Sequence, residues 1–172
     1  DEPLAAADHA ARHAAGGPLW GDSKQIYRAG DGLAALEQGV LAGLLLATAT
    51  LPAGWPALDR ALGGISPPTD PSPSDWAALA AQTLPQAAEA EACHTAAQLA
   101  AAILDREGVA LESIACRAIY PKEFNTLLDA GLNKSDILSR TTLGLAAELR
   151  QRFAGEPAVI WCDRHGGRKS YA

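Results

Sequence analysis

A chain of 172 residues with 48% hydrophobic content is long enough for one domain with a sizeable core. Its net charge of −6 excludes indiscriminate binding to nucleic acid. Three cysteines with no close pair (Cys93, Cys116, Cys162) exclude a disulfide scaffold or a zinc knuckle, and free thiols in a reducing cytoplasm are expected.

Alanine dominates the apolar fraction while aromatics make up only 5%, which points to a helix-rich protein with closely packed helices. The longest apolar run, Val40 to Leu51, is broken by Gly43 and threonines and is too short to span a bilayer. No N-terminal stretch has the charged start and apolar middle of a signal peptide. Methionine is absent, even at position 1, so the chain is expected to be a piece of something longer. Charge is unevenly placed. Residues 1–116 carry 5 Lys/Arg against 14 Asp/Glu, and residues 117–172 carry 9 against 6. A polyanion would be steered to the positive C-terminal third.

In chain order, residues 3–15 read as a helix stopped by Gly16-Gly17-Pro18. Leu19 to Tyr27 reads as a short extended or turn segment containing Gly21-Asp22-Ser23-Lys24. A helix from about Leu33 to Ala47 follows, with Asp31 as its N-cap, then a shorter one around Pro56 to Leu62 ending at Gly63-Gly64. Ser66 to Ser74 holds four prolines and forms an exposed loop. A long helical region from Trp76 to about Glu107 is interrupted near Pro85. Glu112 to Tyr120 alternates Ile114, Cys116, Ala118 and Tyr120 with other residues, a strand signal. Pro121 opens a short helix through Leu128, ended by Gly131.

Ser135 to Phe153 is the clearest helix, with Leu138, Leu145, Leu149 and Phe153 on one face and Glu148 and Arg152 spaced to pair on another. Gly155-Glu156-Pro157 then turns the chain into Ala158-Val159-Ile160-Trp161-Cys162, a continuous apolar run that reads as a buried, central, parallel strand.

That strand ends in Asp163, followed by a glycine turn carrying Arg164, Arg168 and Lys169. Ligands in open α/β sheets bind just beyond the carboxyl ends of strands. A carboxylate there suits a magnesium ion, and cations around Gly166-Gly167 suit phosphate. Tyr171 is placed to stack on a sugar or base. A turn aspartate and a solvated basic face are the plainer readings of the same residues. Gly21-Asp22-Ser23-Lys24 lacks the glycine spacing of a Walker loop. His9 and His13 stand four apart with no third ligand, and Cys93-His94 lacks a positioned base, so zinc and thiol chemistry are rejected.

Several of these pieces occur in a familiar order. Asp22-Ser23-Lys24 before a helix, Asn133-Lys134-Ser135-Asp136-Ile137-Leu138 opening another, and an apolar strand ending in Asp163 resemble the type 2 ribonuclease H family, ribonuclease HII. A divergent bacterial branch of it is closer still. Lys24-Gln25-Ile26-Tyr27-Arg28, Gly32 to Glu37, Pro121-Lys122-Glu123-Phe124-Asn125 and Asp163 to Arg168 fit that branch. The resemblance spans roughly positions 20 to 171.

It implies an α/β, helix-rich, ribonuclease H-like fold occupying 1–172 as a single partial domain, without the family's N-terminal strands and C-terminal helix. It further implies hydrolysis of the RNA strand of RNA–DNA hybrids with Mg2+ or Mn2+. Asp163 matches one metal-binding, catalytic aspartate. Ser23 and Lys24 match a motif lying near the substrate backbone, and Arg164, Arg168, Lys169 and Tyr171 complete the expected nucleic-acid-binding set. The family's Asp-Glu strand with its glycine-rich segment has no counterpart, since Asp1-Glu2 runs into Pro3-Leu4. A second reading follows from that departure: a non-catalytic nucleic-acid-binding or interaction domain that kept the fold. A helical protein–protein adaptor is a third.

Overall fold

The computed structural model describes residues 19–28, 32–63, 77–78 and 80–162. In chain order they form α1 (Ser23–Arg28), α2 (Leu33–Thr48), α3 (Trp55–Ala61), α4 (Ala90–Arg106), α5 (Pro121–Asp129) and α6 (Lys134–Arg152). The architecture is helix-rich, as the alanine content leads one to expect. The helix expected over 3–15 and the loop over 66–74 lie outside the described residues. The described chain falls into two compact units, residues 19–63 with 77–114, and residues 115–162.

The core of the first unit is the contact of α2 with α4. Cys93, Ala96, Ala97, Ala100, Ile103 and Leu104 recur every three or four residues on α4 and are all buried, the apolar stripe of a helix with one inward face. Leu41, Ala42 and Leu44 are the buried side chains α2 contributes. Small side chains allow this close approach: Ala42, Ala96, Ala97 and Ala100 form one buried cluster with Leu19. Trp20, Leu45, Leu46 and Leu99 pack around it.

Local chemistry explains most helix ends. Gly32, at φ 53°, is the N-cap of α2, and a left-handed backbone there favours glycine; Asp31, expected in that role, lies outside the described residues. Pro56 sits in the first turn of α3, and Gly63, at φ 99°, follows its end as expected. Between Trp76 and Glu107 the interruption is wider than Pro85 alone suggests. Residues 81–89 are non-helical and α4 begins only at Ala90. Their backbone finds other partners, with Leu84 N donating to Ala53 O at 3.1 Å and Thr83 bridging to Gly54.

Leu19 to Tyr27, expected as a short extended or turn segment, bends over residues 19–21 and is helical from Ser23. Asp22 Oδ1 accepts the backbone N–H of Lys24 at 2.8 Å, and Ile26 N donates to Asp22 O at 3.1 Å. An aspartate that satisfies a first-turn donor starts a helix here.

In the second unit, α5 opens with Pro121 after an extended Tyr120 and is closed at Gly131, φ 89°. A complete capping box starts α6: Asp136 N donates to Asn133 Oδ1 at 3.0 Å and Asn133 N to Asp136 Oδ2 at 3.2 Å. The two helices pack together, and Ile137 and Ser139 are buried on α6.

The two strands read from the sequence do not form ladders with any described residue. Over 112–120 the alternation is lost, since Cys116 is exposed beside the exposed Arg117. Residues 158–162 are exposed throughout, not buried or central. Apolar composition favours pleated backbone, but pairing needs neighbouring strands and burial needs elements packed on the strand's faces. Among the described residues the Gly54–Thr83 bridge is the whole of the β pairing.

Two glycines within helices separate packing from propensity. A Cβ at Gly39 of α2 would run into the Leu19 carbonyl oxygen, whereas one at Gly144 of α6 meets nothing within 4 Å. We expect Gly144→Ala to stabilise the protein by about 0.5–1 kcal/mol, and Gly39→Ala to destabilise it by about 1–3 kcal/mol despite the same gain in helix propensity. Urea unfolding of both variants checks the opposite signs.

Candidate functional site

The Asp22-Ser23-Lys24 turn is held from both sides. On its N-terminal side, Trp20 Nε1 donates to the Gly39 carbonyl at 2.8 Å, and the Leu19 backbone occupies the space that a side chain at Gly39 would take. On its C-terminal side, Ile26 is 5% exposed and α1 packs against α2. Between these anchors Gly21, Asp22, Ser23 and Lys24 are all exposed. Asp22 has its carboxylate engaged by the Lys24 amide, while the Lys24 ammonium stands in solvent. A solvated cation at the start of a helix can act as a point charge toward phosphate.

Ser23 and Lys24 are the two expected site residues that the described structure places, side by side at the start of α1. Asp163, Arg164, Arg168, Lys169 and Tyr171 lie outside the described residues. The chain leading to them is described: residues 158–162 follow the end of α6 and border an apolar groove of about 440 Å3 with Leu145, Leu149 and Phe153. Those three residues were expected on one helix face. Leu138, assigned to the same face, is exposed and outside the groove.

Mg2+ and Mn2+ take several oxygen donors. Among the described residues no three His, Cys, Asp or Glu side chains converge, so these residues do not themselves hold a donor set for such an ion. All three cysteines are free, Cys93 buried and Cys116 and Cys162 exposed. Burial, and secondarily the charge of Glu37, push the Cys93 thiol pKa up, which disfavours the thiolate and agrees with an unreactive core cysteine. No helix among the described residues is long and apolar enough to cross a membrane.

The strongest polar grouping was not legible in the sequence. Glu37 accepts three backbone N–H groups from the turn before α4: Gln86 at 2.7 Å on Oε1, and Ala87 at 2.7 Å and Ala88 at 2.9 Å on Oε2. Gln38 adds a bond from Nε2 to Ala92 O at 3.2 Å. Burial alone raises the Glu37 pKa, and the three amide bonds outweigh it, holding the carboxyl below its ordinary range. Nothing in a helical glutamate announces partners some fifty residues away. On α3, Trp55 Nε1 and Asp59 Oδ1 are buried without a hydrogen-bond partner among the described residues.

Comparison with protein-family models, with curated proteins and with solved structures finds no match to this chain.

The Glu37 clamp has a pH signature. A carboxyl with a lowered folded-state pKa contributes stability that is present at neutral pH and lost as pH falls through that value. Glu37→Gln is expected to cost about 1–3 kcal/mol at neutral pH, and this difference should shrink on the acid side of the ordinary glutamate pKa of about 4.3. Denaturant unfolding of both proteins across that range measures it.

Proposed function

We propose that this chain is part of a ribonuclease H-like, Mg2+- or Mn2+-dependent nuclease that hydrolyses the RNA strand of RNA–DNA hybrids. The observation that carries the reading is the mounted Asp22-Ser23-Lys24 turn. Trp20 and Ile26 fix it to α2 and leave Lys24 in solvent, where the resemblance puts a contact to the substrate backbone. The fold proposed with it is α/β and ribonuclease H-like, with Ala158–Cys162 as the strand that leads to Asp163.

Asp163 is the proposed metal-binding and catalytic carboxylate, an oxygen donor of the kind hard divalent cations take. Arg164, Arg168 and Lys169 follow it closely enough in sequence to neutralise neighbouring phosphates, and Tyr171 adds a stacking surface. The positive balance of residues 117–172 supports a polyanion as the partner. A cytoplasmic location accords with three free thiols.

The test is a cleavage and binding assay on an RNA–DNA hybrid with each metal. Asp163→Asn is expected to abolish cleavage while hybrid binding persists. Lys24→Ala is expected to weaken binding and to reduce the slope of log affinity against log salt by about 1. Salt-dependent binding with no cleavage in either metal would replace the nuclease by the non-catalytic binding domain. No affinity at low salt would overturn both.

A further inference from the structure

Between Ala81 and Glu89 the chain is tied down by hydrogen bonds rather than by packing, and none of these residues is buried. Thr83 bridges to Gly54 and Leu84 N donates to Ala53 O, which fixes the first half. In the second half Gln86, Ala87 and Ala88 give three consecutive amides to the Glu37 carboxylate on α2. A segment with little buried apolar surface and exposed backbone bonds belongs to the least stable part of a fold and opens on its own. One ionisable group holds this half closed.

Cys93 lies where the segment joins α4. It is the first buried residue of that helix, 0% exposed, and its N–H donates to Glu89 O at 3.1 Å. Glu89, the N-cap, makes no side-chain cap to secure the first turn. Further along, Ala96, Ala97 and Ala100 are buried in one cluster with Leu19 and Ala42. The bonds to Glu37 therefore precede the packed part of α4, and their loss leaves that cluster in place.

We propose that the turn before α4 is an acid-released latch: protonation of Glu37 frees Gln86, Ala87 and Ala88, frays the first turn of α4 and uncovers the Cys93 thiol, while the α2–α4 core stays packed. An ionised carboxylate is acceptor-only, whereas a protonated one carries an O–H donor. Since Oε1 takes Gln86 and Oε2 takes Ala87 and Ala88, a proton on either oxygen displaces at least one amide.

Burial raises the Glu37 pKa and the three amides together lower it further, to below its ordinary value. The latch is thus closed at neutral pH and is released as pH falls through that lowered value. The ionisable side chains on the helices packed against α2 are Glu91, Cys93, His94, Asp105 and Arg106 on α4 and Lys24 and Tyr27 on α1, with Glu89 at the α4 N-cap. All but Cys93 are exposed. Cys93 feels the charge of Glu37, and its raised pKa keeps it a neutral thiol through the acid range. The inference is independent of the nuclease reading, because no substrate or metal enters its test.

Residue-resolved hydrogen exchange and thiol labelling of the intact protein test the latch. On the acid side of about pH 4, exchange protection at Gln86, Ala87 and Ala88 is expected to fall about tenfold, while Ala96, Ala97 and Ala100 stay protected. At neutral pH, Glu37→Gln is expected to reproduce that loss and to speed the reaction of Cys93 with an uncharged maleimide about tenfold. Replacing the exposed Cys116 and Cys162 by serine in both proteins leaves Cys93 as the thiol that is read. Protection at 86–88 that ignores both acid and Glu37→Gln overturns the proposal. So does protection lost in step at Ala96, Ala97 and Ala100, which is global unfolding, or a Cys93 thiol labelled no faster once the amides are free. If Glu37→Gln fails to fold, exchange and labelling of the wild-type protein across the acid series decide by the same criteria.

Discussion

The close approach of α2 to α4 is the constraint on which the first unit depends, and small side chains set it. Ala42, Ala96, Ala97 and Ala100 are buried together, and a larger residue at any of them would push the helices apart. Gly39 extends the same economy one turn along α2, giving the Leu19 backbone room to lie against it. Trp20 then bonds to the Gly39 carbonyl, and the exposed Asp22-Ser23-Lys24 turn hangs from that bond. Core packing and the placement of the candidate substrate contact are thus one piece of geometry.

Glu37 supplies what packing does not. Nine residues between Ala81 and Glu89 leave the helical path, and their amides must find partners elsewhere. A single carboxylate takes three of them. Charge-assisted bonds are stronger than neutral ones, and concentrating three on one group fixes where α4 begins. Burial first, and the negative charge of the same carboxylate second, push the Cys93 thiol pKa up.

The parts of the fold that sequence made legible are those decided by local chemistry. Asn133 and Asp136 announce the start of α6, Pro121 the start of α5, and Gly63 and Gly131 the turns that follow two helices. Each signal acts over a few residues. Asp22 shows the limit of pattern alone: its carboxylate starts a helix where glycine and serine neighbours suggested a turn. The Glu37 clamp leaves no local signal because its partners lie about fifty residues away, and a glutamate on a helix otherwise reads as solvated. Burial of Ala158–Cys162 was inferred from composition, yet no residue in the run specifies what would cover it. Of the candidate site, Ser23 and Lys24 are placed by the described residues, while Asp163 and its basic neighbours lie outside them.

The central claim is that the chain directs hydrolysis to one strand of a hybrid, and strand-specific end-labelling tests it most directly. With the RNA and DNA strands labelled separately, and Mg2+ or Mn2+ supplied, the account predicts shortened RNA and intact DNA. The same RNA annealed to nothing should remain uncut. Cutting of both strands, or of neither while the hybrid stays unbound at low salt, would contradict it.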